Sequence, residues 1–203
     1  MKIIKPFSDL PLWEFYDVDI PHIDYDSFDF KTIKELNADN PCLQDDIYTT
    51  RHKCKPFGDP SYEKLVKNVH NVINNIKESE GSPNIIMLDE SLLFSMGAWS
   101  FEKNDIDIII DQQGYFMGYH LDNRNVKANL FLNLEDNESS TEFFITNTFQ
   151  PDNFDNFIPT KTEWTGPTKK GSGYFYFNNS NFWHKIDVTE KERKILMMGI
   201  YVN

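Results

Sequence analysis

The chain has 203 residues, 15% of them aromatic with 17 Phe, and its 32 acidic against 20 basic side chains give a formal net charge of −12. That length suits one domain, 1–203, with room for a substantial core, and the negative charge, relieved only by short groups such as Lys169-Lys170, opposes nucleic-acid binding. No apolar run reaches signal-peptide length or the roughly 18 residues of a membrane span, so a cytoplasmic protein without a membrane partner is expected.

In chain order, residues 12–24 mix Trp13, Phe15, Tyr16, Val18 and Ile20 with Pro11 and Pro21, which predicts short extended pieces covering one edge of a sheet. Residues 29–37 suit a short helix, and Ala38 to Pro60, with Pro41, Pro56, Gly58 and Pro60, reads as irregular connection. Cys42 and Cys54 in that region read as reduced thiols, and His52-Lys53-Cys54 lacks the second ligand cluster of a zinc site. A helix over about 60–80 is predicted by Asp59 as N-cap, Pro60 at the first helical position, Leu65, Val66, Val69, Val72, Ile73 and Ile76 at helical spacing, and Gly81 as the stop. His70 sits at the flank of that stripe, as a boundary residue. These elements make 1–90 an N-terminal helical and extended support region.

Beyond it, 91–203 reads as a mainly β core. Strands are predicted at 85–88, 92–101 and 106–110, the last short, nearly all apolar and buried on both faces. Asp105, Asp107 and Asp111 around it read as charges at strand ends facing water. Val126 to Leu134 divides by its period of two: Ala128, Leu130, Leu132 and Leu134 face the core, while Lys127, Asn129, Phe131 and Asn133 either line a cavity, where Asn129 or Lys127 meets a bound carboxylate, or face solvent. Strands follow at 141–145, 174–177, 182–186 and 193–202. Thr146 to Lys170, long, strand-poor and rich in aromatics, is expected to be a lid. About eight strands after residue 105 fit a two-sheet jelly roll.

His120 and Asp122 form a His-x-Asp pair at the end of one strand, where residues two apart point to the same side and can converge on a metal. His184 ends a further aromatic stretch 64 residues downstream. Two His and one carboxylate with open positions opposite is the donor set of non-haem Fe(II) oxygenases.

With a Gly-rich approach (Gly114, Gly118) to His120-x-Asp122, the distal His184 in Phe182-Trp183-His184-Lys185-Ile186, and Arg193 nine positions later, the chain resembles the Fe(II)/2-oxoglutarate-dependent oxygenase superfamily over residues 90–203. Within it the chain looks most like small prolyl-hydroxylase-type and phage-encoded members, which would place it in a host cytoplasm. The resemblance implies a double-stranded β-helix (a cupin-like jelly roll), Fe(II) on His120, Asp122 and His184, and Arg193 paired with the far carboxylate of the co-substrate 2-oxoglutarate. It also implies use of O2 to hydroxylate a C–H bond of a peptide, prolyl or amino-acid-like substrate, with release of succinate and CO2. Two positions depart from the family: Ile195 stands where a Ser or Thr often follows the Arg, and Phe131 where a Tyr commonly binds the co-substrate. Two other readings stand beside this one. A non-catalytic jelly-roll binding or structural module would have no use for the triad and Arg193, and a cupin-type metalloenzyme without 2-oxoglutarate would start with His-x-His.

Overall fold

In the computed structural model, residues 1–8, 10–41, 45–79, 105–122, 126–145, 163–178 and 182–201 are described. The order is β1 (Lys2–Ile4), β2 (Leu12–Tyr16), β3 (Lys31–Thr32), α1 (Ile33–Leu36), β4 (Arg51–Cys54), α2 (Pro60–Ser79) and β5 (Asp105–Asp111). Then come β6 (Phe116–His120), β7 (Val126–Asn133), β8 (Thr141–Ile145), β9 (Trp164–Thr165), β10 (Gly173–Phe177), β11 (Phe182–Asp187) and β12 (Arg193–Tyr201).

The last eight strands pair antiparallel as nested partners: β5 with β12, β6 with β11, β7 with β10 and β8 with β9. Ladders between β12 and β7 and between β11 and β8 roll this long hairpin into two sheets. The orders are β1-β2-β10-β7-β12-β5-β4-β3 and β6-β11-β8-β9. This is a jelly roll, mainly β, as the strand count predicts. The amino-terminal strands extend the larger sheet, β1 and β2 beyond β10 and β3 and β4 beyond β5.

α2 covers the outer face of the larger sheet. Asp59 caps it, its Oδ1 accepting from the backbone N–H of Ser61 and Tyr62 at 2.8 and 3.1 Å; such a cap contributes about 1 kcal/mol. Leu65, Val69 and Val72 are wholly buried in one cluster with Ile108, Leu130 and Leu196. Removing each such side chain from water contributes roughly 1.5–3 kcal/mol, so this face anchors the sheet. The period of two then fixes the other face. Ala128, Leu130 and Leu132 of β7 point to the helix cluster, and Asn129 and Phe131 point between the sheets, so the solvent-facing alternative for that side of β7 falls away. Gly173 is required where β10 crosses β7, since a Cβ there would lie 2.0 Å from the Phe131 carbonyl oxygen.

Three expectations are corrected. The 38–60 region is not all irregular: Arg51–Cys54 pairs as β4 with β5, and its Cys54 thiol is free and half-buried. Its sequence shows no apolar alternation because its inward positions, Arg51 and Lys53, meet carboxylates instead of a hydrophobic core. Asp111 and Asp107 do not face water. Asp111 is fully buried between Arg51 and Arg193, and Asp107, 6% exposed, meets Lys53 at 3.2 Å and Lys55 at 3.8 Å. The short helix is confined to 33–36, started by a capping box between Thr32 at its N-cap and Glu35. The strands expected at 85–88 and 92–101, and residues 146–162 of the expected lid, lie outside the described residues. No helix among the described residues is long and apolar enough to cross a membrane.

Candidate metal centre and its cavity

His120 and His184 are partners across the β6–β11 ladder, with an irregularity in register between His184 and Ile186. Asp122 follows β6 by two residues. The ladder sets the two imidazoles 4.2 Å apart between ring centroids, and Oδ1 of Asp122 lies 3.5 Å from Nε2 of His184 and 3.8 Å from Nε2 of His120. One donor atom from each of the three residues falls within a set no more than 4.8 Å across. The other histidines lie elsewhere: His52 is on β4, His70 on α2, and His22 is in neither helix nor strand.

The electrostatics of His120 and Asp122 suit a cation. Nδ1 of His120 faces the Gly118 carbonyl oxygen at 2.8 Å, and since that oxygen only accepts, Nδ1 carries the hydrogen and Nε2 presents a lone pair to the cluster. Burial, reinforced by the neighbouring His184, pushes the His120 pKa down to about 4. For Asp122 burial acts upward but is outweighed by hydrogen bonding and charge from His184 and by the Tyr176 hydroxyl, so its pKa is held at about 2. Oδ2 of Asp122 is occupied, accepting from the Tyr176 hydroxyl at 2.6 Å and from Nδ2 of Asn129 at 2.6 Å. That leaves Oδ1 to the two imidazoles. Two imidazoles and an ionised, oriented carboxylate form a donor set fit for a divalent transition metal.

These residues open onto a cavity of about 280 Å³ whose wall also includes Phe131, Thr141, Arg51 and Arg193. Arg193, 4% exposed, donates through Nη1 to Oγ1 of Thr141 at 3.1 Å and through Nε and Nη2 to Oδ2 of Asp111 at 3.1 and 2.8 Å. Lys194 points the other way, to Glu135 and Glu192, with its ammonium over the Tyr25 ring. Phe131 stacks on Tyr174 and Tyr176, with centroids at 4.9 and 6.5 Å.

Of the residues singled out from sequence, His120, Asp122, His184 and Arg193 therefore meet around one cavity. Asn129, fully buried, spends its amide on Asp122 and on the Tyr176 hydroxyl. The Lys127 side chain lies outside the described residues. Sequence reasoning missed Arg51, Asp111, Thr141 and Tyr176. A signal for Tyr176 was present: Tyr174-Phe175-Tyr176-Phe177 alternates hydroxylated and plain rings, and the structure turns the first kind inward and the second toward α2.

No family model and no curated protein matches the sequence. Among solved structures the chain is similar to a Pseudomonas putida prolyl-4-hydroxylase at 13% identity, over 76% of this chain and 74% of that one, with a TM-score of 0.48. It is also similar to a Trichoplax adhaerens prolyl hydroxylase in complex with a hypoxia inducible factor oxygen degradation domain peptide fragment, at 9% identity over 74% of this chain and 62% of that one, again with a TM-score of 0.48.

Proposed function

We propose that the protein is an Fe(II)- and 2-oxoglutarate-dependent dioxygenase that hydroxylates a C–H bond of a peptide, prolyl or amino-acid-like substrate. One observation carries the reading: a two-histidine, one-carboxylate donor set opens onto the same cavity as two guanidinium groups, that of Arg193 buried and that of Arg51 partly buried. His120, Asp122 and His184 would hold the metal. Bound Fe(II), with 2-oxoglutarate and O2, supplies oxidative decarboxylation to succinate and CO2 coupled to hydroxylation of the substrate.

The chain's own part is to orient and to exclude water. Tyr176 and Asn129 fix the Asp122 carboxylate so that one oxygen serves the metal and the other does not. The Gly118 carbonyl fixes the His120 tautomer. Arg193 binds the far carboxylate of 2-oxoglutarate, its fork of donors being suited to an anion in a dry pocket. Thr141, from the opposite sheet, takes the place of the hydroxyl that Ile195 cannot supply; Phe131 supplies none and stacks on Tyr174 and Tyr176. Lys127 is a further basic group for a bound carboxylate. Anaerobic Fe(II) and 2-oxoglutarate together should raise the melting temperature of the wild-type chain and leave that of His120→Ala unchanged. Equal shifts in both proteins would overturn the assignment.

A further inference from the structure

β4, β5 and β12 lie side by side, and their registers bring Arg51, Asp111 and Arg193 onto one line across the sheet, both arginines being partners of Asp111. Asp111 is 0% exposed. Its Oδ1 accepts from Nε of Arg51 at 2.5 Å and its Oδ2 from Nη2 of Arg51 at 2.9 Å, while Arg193 approaches Oδ2 from the other side. The Arg51 guanidinium also lies over the Tyr115 ring, 4.2 Å from its centroid. Burial acts to raise the Asp111 pKa, and the two guanidiniums outweigh it, so the carboxylate stays ionised.

Two guanidiniums against one carboxylate leave a surplus of one positive charge on the Arg51, Asp111 and Arg193 group, counted apart from the Asp122 carboxylate at the metal site, and both arginines present it to the cavity. An unmatched charge in a buried setting is costly, and it makes the site favourable for one further anion. Each guanidinium retains N–H donors beyond those taken by Asp111 and Thr141. The surplus depends on Arg51. Without it, Asp111 would neutralise Arg193, and that wall would present no net charge to a ligand.

We propose that Arg51, a residue of the amino-terminal strand β4 and not of the eight-stranded roll, is a specificity-determining residue of the co-substrate site. It releases Arg193 from neutralisation by Asp111 and so strengthens the site's hold on the far carboxylate that a dicarboxylate brings. The proposal rests on the reading of this cavity as a 2-oxoglutarate site. It also assigns the added strand a role in binding and not only in covering a sheet edge.

The test is titration of 2-oxoglutarate into the full chain loaded with Mn(II), with Mn(II) affinity measured separately. Arg51→Met is expected to weaken 2-oxoglutarate binding roughly 10- to 100-fold with Mn(II) affinity little changed. Arg51→Lys, which keeps the charge, should retain most of the affinity. Adding Asp111→Asn to Arg51→Met should restore much of the loss, because a neutral amide in place of the carboxylate leaves Arg193 its positive charge and an acceptor oxygen. A purely structural role for Arg51 predicts the opposite, with the double variant weaker than the single. If Arg51→Met does not fold, Arg51→Gln gives the same comparison while keeping N–H donors toward Asp111. Unchanged binding in the folded single variant, or further loss in the double, overturns the role of Arg51 and leaves the proposed function standing. No 2-oxoglutarate binding by the wild-type chain overturns both.

Discussion

The hydroxyl of Tyr176, on β10 of the larger sheet, donates at 2.6 Å to Oδ2 of Asp122, the carboxylate that follows β6 of the smaller sheet. With the Asn129 amide of β7, which donates to the same oxygen, it ties the larger sheet to the candidate metal site. Tyr176 is wholly buried, and burial followed by the Asp122 charge raises its pKa well above the ordinary phenol value, so it stays a donor throughout the working pH range. Tyr176→Phe removes this donor without changing the packing volume. It is expected to weaken metal binding by roughly tenfold, in line with the loss of an outer hydrogen bond to a ligand, while Asn129 keeps the carboxylate partly fixed. Competition against a chelator of known affinity measures this, and an unchanged metal affinity would show that Tyr176 plays no part in presenting Oδ1.

The metal-free protein should lose stability with acid in two separable windows. His120 has a folded pKa of about 4 against an ordinary 6.5, so the unfolded chain binds its proton first, and stability falls as pH drops from about 6.5 to 4. Asp122, held at about 2 against an ordinary 3.8, favours the folded state above that range, and its contribution is lost only as pH falls from about 4 to 2. Melting temperatures measured with chelator from pH 8 to 4 should therefore decline most below about pH 6.5, and His120→Gln should flatten the decline. An identical slope in His120→Gln would place the titrating group elsewhere.

The parts legible in the sequence were those with a local period. α2 showed its stripe from Leu65 to Ile76, β7 its division into Leu130 and Leu132 against Asn129 and Phe131, and β6 its His-x-Asp ending. What stayed hidden depended on pairing between distant strands. Arg51 and Asp111 are 60 residues apart, and nothing local distinguishes a carboxylate buried between two guanidiniums from one facing water at a strand end. The same limit hid Thr141, which matters because β8 carries it opposite Arg193. Only the roll, in which β12 lies in one sheet and β8 in the other, brings the two within 3.1 Å.

Arg193 and Lys194 are adjacent in sequence and opposite in orientation, which separates binding from surface charge. Arg193→Ala should weaken 2-oxoglutarate binding by roughly 2–5 kcal/mol with little change in Fe(II) affinity, because a charge-assisted contact in a buried pocket is lost. Lys194→Ala, removing an ammonium held by Glu135 and Glu192, should change neither. Asp111 remains paired with Arg51 in the first variant, so the chain is expected to stay folded. Parallel titrations decide it: loss of binding in Lys194→Ala and not in Arg193→Ala would mean that the lysine serves the pocket.

Thr141 supplies the sharpest test of the anion end, because its hydroxyl already has two donors aimed at it. Nη1 of Arg193 lies at 3.1 Å and the Tyr174 hydroxyl at 2.7 Å. A hydroxyl oxygen has two lone pairs and one hydrogen; with both pairs engaged, the hydrogen is the group left for a ligand, and Thr141 lines the cavity where that ligand would lie. Thr141→Val keeps the shape and removes the hydroxyl. It should lower stability by roughly 1–3 kcal/mol, since the Tyr174 hydroxyl loses its acceptor in a buried site, and weaken 2-oxoglutarate binding by about tenfold beyond that. Thr141→Ser should restore both. Metal affinity should not follow, because Thr141 is outside the His120, Asp122 and His184 set. A valine variant that is less stable yet binds 2-oxoglutarate as wild type would confine Thr141 to packing and leave Arg193 without a hydroxyl partner in recognition.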